Sequence, residues 1–270
     1  KAMKTAIING RIITPHRILS QASLVMEDGV IEGIVKGRKP EADCYIDAQG
    51  SYVSPGFIDI HTHGGGGHDF MDGSPEAIIK ACMAHLAHGT TSICPTTLTC
   101  TDEELLTFFG CYREARKQME NGPELLGIHL EGPYFSLEQR GAQDPQYIKV
   151  PARDDYKKLL DASDDIIRMS AAPELEGAME LADELKARGI LASIGHSDAT
   201  YAHVIEAWER GYTHVTHLYS GMSTIRRINA YRHLGVIESA YLIDGMTVEI
   251  IAAGKHLPPE LLRFIVKMKP

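Results

Sequence analysis

Five side chains that commonly bind divalent metals follow short apolar runs in this 270-residue chain, at points where parallel strands would end. His61 and His63 lie two residues apart, so both imidazoles point to the same side of an extended segment and can bind one cation. Glu131, His196 and His217 each follow a further apolar run. Two imidazole nitrogens and a carboxylate oxygen suit zinc or iron(II) and leave a position open for water. The sequence therefore predicts a divalent-metal site.

Each of these residues also has a simpler interpretation. A histidine pair of this spacing is more often a surface or packing feature, but the run Gly64–Gly67 after it lets backbone approach a site and favours a ligand pair. A buried carboxylate such as Glu131 requires a partner, and the alternative to a metal is a salt bridge to an arginine. His196 and His217, taken singly, fit core histidines equally well. Their recurrence at successive strand ends favours the metal site.

Three further residues lie close to the expected ligands in the sequence. Asp59 precedes His61 by two residues and is expected to orient the histidine pair. His129 and His214 lie two or three residues before the ends of their strands, so we interpret them as packing groups or as supports for the ligands.

Repeated βα units are expected to position these residues. From residue 55 onward, seven short apolar runs alternate with longer amphipathic stretches, which predicts an α/β fold, a (β/α)8 TIM-type barrel with seven of its eight strands in this chain. Catalytic groups of such barrels lie at the carboxyl ends of the strands. An open doubly wound sheet is the alternative, and the absence of a GxGxxG turn after the first strand argues against it. The expected strands are Phe57–Ile60, Thr91–Cys94, Leu126–Leu130, Ile167–Ala171, Ile190–Ile194, Thr213–Thr216 and Thr247–Ala252, and the expected helices include Pro75–His88, Asp102–Met119, Glu174–Arg188 and Ala199–Arg210.

The chain is expected to contain two domains. Residues 1–54 contain short strands and turns, with hairpin signals at Asn9-Gly10 and Asp28-Gly29, and are interpreted as the N-terminal part of a small β-sandwich-like domain. Residues 55–270 are expected to form the barrel that holds the metal site, incomplete at its C-terminus. The link between the sixth and seventh barrel strands is expected to be long and irregular through Arg226–His233.

Composition excludes several classes of function. The formal net charge is -9 and no basic patch stands out, which argues against nucleic acid as a partner. No apolar run reaches the length of a membrane span, so no membrane partner is expected. The five cysteines include no CxxC pair, which argues against a disulfide framework or a thiolate zinc site and favours a reducing cytoplasm.

Four motifs contain the candidate ligands: PGFIDIHTHG at 55–64, GIHLEGPY at 127–134, GHSDAT at 195–200 and THLY at 216–219. They resemble the N-acetylglucosamine-6-phosphate deacetylase family of metal-dependent amidohydrolases. The resemblance implies hydrolysis of the N-acetyl amide of N-acetylglucosamine 6-phosphate to glucosamine 6-phosphate and acetate, by a metal-activated water, in a homodimer. It implies Glu131, His196 and His217 as primary ligands of Zn2+ or Fe2+. Some members have Gln and Asn in place of the histidine pair and bind one metal; the pair here implies a possible second metal at His61 and His63, bridged by Glu131.

The same resemblance implies residues that contact the sugar phosphate. They are Ala142, the backbone of Ser220 and Gly221, Arg232 and His256. A guanidinium and an imidazole near a phosphate are chemically reasonable.

The chain also departs from the family pattern. Ala253 replaces the usual Asp before the Gly-Lys-His segment, and Ser220-Gly221 replaces the usual Asn-Ala pair. The family's general acid/base is an Asp at the end of the eighth strand, which is expected beyond Pro270. No catalytic residue is therefore expected within this chain, and we predict that the chain alone is inactive. Two alternatives stay open: another amide-hydrolysing amidohydrolase, of dihydroorotase-like or amino-acid deacetylase type, or a metal-free binding or structural relative.

Overall fold

A computed structural model describes residues 3–270 and shows two compact units, one ending at Phe57 and one spanning Ile58–Pro270. Residues 1 and 2, which the predicted first domain includes, lie outside the described residues. The interpretation of the first unit as the N-terminal part of a small β domain stays a prediction.

The first unit is a five-stranded sheet. The first three strands form an antiparallel meander, and the last two pair in parallel with the first strand. Ala6, Ile12, Ala22 and Val25 form its buried face. The strands are β1 (Lys4–Ile13), β2 (Ile18–Glu27), β3 (Val30–Lys36), β4 (Cys44–Asp47) and β5 (Tyr52–Val53).

One of the two predicted hairpins is confirmed and the other is wrong. Asp28 and Gly29, both with positive φ, join β2 to β3 in a tight turn. Asn9 also has a positive φ of 57°, but β1 continues through it. The register of β1 against β2 shifts between Ile7 and Gly10, so the left-handed residue forms a bulge instead of a turn.

The second unit contains the strands of the barrel and two small hairpins. The third barrel strand is interrupted at Gly127, which has a φ of 146°. A Cβ at this position would lie 2.9 Å from the Asp165 carbonyl oxygen, so the close approach favours glycine. The strands are β6 (Phe57–Thr62), β7 (Gly64–Gly65), β8 (His68–Asp69), β9 (Thr90–Pro95), β10 (Glu124–Leu125), β11 (Ile128–Glu131), β12 (Ile166–Ala171), β13 (Leu191–Ile194), β14 (Tyr212–Val215), β15 (Arg226–Ile228), β16 (Tyr231–His233) and β17 (Thr247–Val248).

The order of the parallel strands confirms the barrel prediction. One sheet has the order β10-β9-β6 and the other has β11-β12-β13-β14-β17, all parallel where the register is given. A bridge between Thr96 and His129 joins the two sheets. When β10 and β11 are taken as the two parts of the interrupted third strand, seven strands are neighbours in chain order, without the reversal of order that defines a doubly wound sheet.

Helices lie between the barrel strands, and the predicted four are present with shorter ends. Helix α2 begins in a capping box between Thr101 and Glu104 and buries Phe108 and Tyr112 in the core. The third predicted helix begins at Ala178 instead of Glu174, and the Glu174 carboxylate accepts hydrogen bonds from Oγ of Ser197 and the main-chain amide of Asp198. The helices are α1 (Pro75–Leu86), α2 (Asp102–Gln118), α3 (Arg153–Asp161), α4 (Ala178–Ala187), α5 (Tyr201–Arg210), α6 (Val236–Leu242) and α7 (Pro259–Met268), with 3-10 turns at Leu137–Gln139 and Pro145–Tyr147.

The link between β14 and β17 corrects a second prediction. It is not irregular: β15 and β16 pair as an antiparallel hairpin, and α6 follows. Asn229 and Ala230, both with positive φ, form the two-residue turn. None of the helices in residues 3–270 combines the length and apolar character that a membrane span requires.

Candidate metal centre

The carboxylate of Glu131 lies at the centre of the five predicted ligands. It ends β11, is almost fully buried, and faces four imidazoles. Its Oε1 lies 3.3 Å from Nε2 of His61, 3.3 Å from Nε2 of His196 and 3.0 Å from Nε2 of His217. Its Oε2 lies 3.3 Å from Nε2 of His63. The structure therefore brings all five residues together, and the alternative of an arginine salt bridge does not describe Glu131.

The spacing of the donor atoms fits cations. Nε2 of His196 lies 3.2 Å from Nε2 of His217, and each lies close to the same carboxylate oxygen. Ligands about 2.0–2.1 Å from a tetrahedral zinc are about 3.3 Å apart, so this triangle has the size of one face of such a site. His61 and His63 form a second such group with Glu131. One carboxylate shared by two histidine pairs has the form of a bridging ligand.

The backbone at two strand ends aims the histidines inward. His196 and His217 follow β13 and β14 with positive φ values of 47° and 30°. These left-handed conformations cost non-glycine residues free energy and recur at functional sites. The apolar strands β13 and β14 hold His196 and His217 in this conformation. The direction of each ring is therefore set by the left-handed backbone at the histidine and by the extended strand before it.

Hydrogen bonds orient the group formed by Glu131, His196 and His217. Nδ1 of His196 donates to the main-chain oxygen of Gln139 at 2.9 Å, which leaves Nε2 to face Glu131. Gln143 donates from Nε2 to Oε2 of Glu131 at 2.9 Å, and its own Oε1 accepts from the Thr99 amide at 2.9 Å. The Glu131 carboxylate is thereby fixed by a buried amide as well as by imidazoles.

A second carboxylate orients the other group. Oε1 of Glu249, just after β17, lies 2.6 Å from Nδ1 of His61. The same oxygen accepts a 2.8 Å hydrogen bond from the main-chain amide of His217. Oε2 accepts from Nη2 of Arg168, which lies in β12 and is itself buried. The buried ion pair of Glu249 and Arg168 therefore contacts two of the expected ligands, His61 and His217.

The pKa values reflect this dense packing of charges. Burial raises the pKa of Glu131, but hydrogen bonds from the surrounding histidines lower it much further, so the pKa lies well below its usual range. Burial lowers the pKa of His61, but Glu131 and Glu249 raise it by more, to about 9. A site with an ionised carboxylate and an imidazole that holds its proton this strongly is one that a cation can occupy by displacing that proton.

Asp59, His129 and His214 lie close to the expected ligands, and each has its own hydrogen-bond partner. Asp59 accepts from the main-chain amide of His61 at 3.1 Å and so acts on the backbone of the pair. His129 is fully buried, with Nε2 2.7 Å from Oγ of Ser170, and burial lowers its pKa well below 6.5. His214 contacts Oγ1 of Thr247 at 2.7 Å. Neither histidine belongs to the two candidate metal groups.

The expected substrate residues fall into two sets. Gly221 lies against His196: a Cβ at this position would come within 2.8 Å of its Nδ1. The neighbouring amide of Ser220 donates to the His217 carbonyl at 2.9 Å, so this amide already has a partner. Ala142 is exposed and follows Gly141, which also approaches the His196 ring: a Cβ at Gly141 would lie 3.6 Å from its Cε1.

Arg232 and His256 form the second set. Both are exposed, Arg232 in β16 and His256 in the segment before α7. In the described part of the chain, no recorded contact joins either residue to the Glu131 cluster. Their role in binding phosphate stays a prediction.

Sequence reasoning missed two buried residues of the site. Glu249 lies within the strand predicted at Thr247–Ala252, where an acidic residue between apolar ones was the available signal. Arg168 likewise interrupts the apolar run of β12. A charged residue inside a strand predicted to be buried indicates a partner, but the sequence does not show that the two residues meet.

The chain is similar to a family of known proteins and to several solved structures. The model of the amidohydrolase family matches residues 52–268. N-acetylglucosamine-6-phosphate deacetylase from Bacillus subtilis is 35% identical over 92% of this chain and 63% of the relative. The crystal structure of N-acetylglucosamine-6-phosphate deacetylase from Pasteurella multocida is 32% identical, with a TM-score of 0.88 over 98% of this chain and 69% of that one.

A third similar structure contains a substrate. It is an aspartate-to-alanine mutant of N-acetyl-D-glucosamine-6-phosphate deacetylase from Mycobacterium smegmatis in complex with N-acetyl-D-glucosamine 6-phosphate. It is 29% identical to this chain, with a TM-score of 0.86, and the alignment covers all of this chain and 68% of that one. The chain thus spans a little under two thirds of its Bacillus subtilis relative's length, 63%.

Proposed function

We propose, from the premise that this chain belongs to the amidohydrolase family, that it carries the metal centre of an N-acetylglucosamine-6-phosphate deacetylase. The family is metal-dependent, and the chain contains two groups of residues suited to a cation. The observation that carries the proposal is the Glu131 carboxylate shared by two histidine pairs. The names of the similar proteins supply the reaction.

The residues suggest where the metal would be held. Glu131, His196 and His217 would hold one Zn2+ or Fe2+, and His61 and His63 with Glu131 would hold a second. Nitrogen and oxygen donors without a thiolate suit either ion. A bound ion of this kind lowers the pKa of a coordinated water and polarises the amide carbonyl.

The chain's own groups then have defined tasks. Gln143 and the histidines keep Glu131 ionised and fixed, so the carboxylate does not need to reorient during the reaction. Ala142, Ser220, Gly221, Arg232 and His256 are proposed to contact the sugar phosphate, with the Arg232 guanidinium as the charge that recognises the phosphate. The proton acceptor that the family resemblance implies is the Asp of the eighth strand.

The test is deacetylation by the intact gene product that contains this chain. We expect release of acetate from N-acetylglucosamine 6-phosphate in the presence of zinc or iron(II), much slower release from N-acetylglucosamine, and none from E131Q. E238Q is the matched control, because Glu238 accepts from the Gly235 amide at the start of α6, outside the two metal groups. Equal turnover of the sugar with and without its phosphate would contradict the proposal.

The two alternatives predict different results. Another amide-hydrolysing amidohydrolase would hydrolyse N-acetyl amino acids or a cyclic amide in preference to the sugar phosphate. A metal-free binding or structural relative would contain no metal by elemental analysis after anaerobic reconstitution. Metal content and substrate preference therefore separate all three possibilities.

A homodimer and a cytoplasmic location complete the proposal. The first rests on the family resemblance and the second on the pattern of cysteines in the sequence. Light scattering of the purified protein measures the first, and cell fractionation measures the second.

A further inference from the structure

Glu249 and Arg168 are two buried charged residues that the metal groups do not include. Their side chains are only 7% and 5% exposed. The interior of a parallel barrel is usually filled by branched apolar side chains. An ion pair there costs desolvation free energy, which a pair of apolar residues of similar volume would avoid. The contacts of Glu249 and Arg168 should therefore show what this buried ion pair does.

The Glu249–Arg168 ion pair contacts two of the expected metal ligands and the residues that precede them. Glu249 accepts from the Nδ1 of His61 at 2.6 Å and from the main-chain amide of His217 at 2.8 Å. Arg168 donates to the carbonyl of Ile60 and to Oγ1 of Thr216, both at 3.4 Å. These are the residues directly before the two histidines. The ion pair thus connects β6 with the end of β14.

The hydrogen bond to His61 also decides which ring nitrogen is free. A carboxylate oxygen can only accept, so at 2.6 Å Nδ1 must be the donor. Nε2 then faces Glu131 at 3.3 Å with its lone pair available when the ring is neutral. Arg168 occupies the other oxygen of Glu249, so that carboxylate stays ionised and does not rotate away.

We propose that Glu249 is a positioning residue, held by Arg168, that fixes the ring of His61 with Nε2 toward Glu131 and so sets the affinity of the cation position formed by His61, His63 and Glu131. The inference rests on the proposed metal centre. It predicts that the His61 group and the His196 group respond differently to the loss of Glu249, although Glu131 belongs to both.

The first experiment measures zinc stoichiometry and affinity by competition with a chromophoric chelator. We expect two zinc ions in the wild type, and in E249Q a loss of about 10–100-fold in affinity at one position only, the size usual for groups that orient a ligand. In an H61Q background, E249Q should change zinc affinity no further, because its effect passes through His61. E238Q should match the wild type.

The outcomes separate two failures. No zinc bound to the wild type would overturn the metal centre itself. One zinc ion in the wild type, unchanged affinity in E249Q, or an equal loss of affinity in the H61Q background would each overturn the role of Glu249 only.

A second variant separates positioning from stability. In the double substitution E249L and R168M, apolar side chains replace the whole ion pair, so no single buried charge is left behind. We expect a folded protein by circular dichroism in which the weaker zinc affinity persists. Recovery of full affinity together with folding would show that the pair acts only on stability and would overturn the proposal.

A measurement on the wild type is independent of any variant. Long-range 1H–15N spectra of the zinc-loaded protein should show His61 with its proton on Nδ1 and zinc on Nε2. Zinc on Nδ1 of His61 would overturn the proposal.

Discussion

The main-chain oxygen of Gln139 accepts a 2.9 Å hydrogen bond from Nδ1 of His196. Gln139 belongs to a short 3-10 turn, and its side chain donates to Oδ1 of Asp198 at 3.1 Å. Arg226 at the start of β15 binds the other oxygen of Asp198. A chain of contacts therefore connects the hairpin that carries Arg232 with the ring of an expected metal ligand.

Loss of Asp198 should weaken one metal position. In D198A, Gln139 loses its anchor, and the hydrogen bond that orients His196 becomes less well fixed. We expect zinc affinity at the Glu131, His196 and His217 position to fall by about 10-fold. Chelator competition measures the change, and R210M is the control, since Arg210 pairs with Asp183 on the exposed surface. Unchanged affinity in D198A would mean that Gln139 holds His196 unaided.

Two substitutions should change zinc stoichiometry to different extents. H63N removes a ligand of one group only, so we expect one bound zinc ion by elemental analysis. E131Q removes the residue common to both groups, and we expect zinc content close to zero. Two zinc ions in E131Q would show that Glu131 is not the shared ligand.

The stability of the metal-free protein should depend on pH through His61. Its pKa is raised from 6.5 to about 9, so the folded state binds this proton more tightly than the unfolded state does. The resulting stabilisation is fully present below pH 6.5 and is lost as the pH rises through about 9. Urea unfolding in EDTA between pH 6 and pH 10 measures this loss.

H61Q is the control for this prediction. The variant lacks the titrating group, so its free energy of unfolding should fall less over the same pH range. The same decrease in both proteins would assign the pH dependence to other groups.

Two glycines with similar backbone conformations should differ in their tolerance of alanine. Gly177 and Gly189 have φ values of 84° and 71°. A Cβ at Gly189 meets no atom within 4 Å, so G189A should cost about 1–2 kcal/mol for the left-handed backbone alone. A Cβ at Gly177 would lie 2.1 Å from the Pro151 carbonyl oxygen, so G177A should cost clearly more. Thermal unfolding compares the two, and equal losses would contradict the steric argument.

Much of the barrel could be predicted from local sequence. The alternation of apolar runs with amphipathic stretches located all seven strands, because the period of the pattern follows from which faces of each element are buried. The last strand is shorter than predicted and covers Thr247–Val248 instead of Thr247–Ala252. The Asn9-Gly10 hairpin failed for a related reason. A positive φ at one residue suits a bulge as well as a turn, and only the pairing of β1 with β2 decides between them.

The sequence by itself determined the residue types at the ends of the strands, and therefore the candidates His61, His63, Glu131, His196 and His217. This was possible because the parallel strands of one barrel all end at the same face. Only the tertiary structure decided that Glu131 contacts all four histidines and that Glu249 meets Arg168 beneath them. Those contacts join β6, β11, β12, β13, β14 and β17 or the residues directly after them, and no local pattern specifies the distances between side chains so far apart in the sequence.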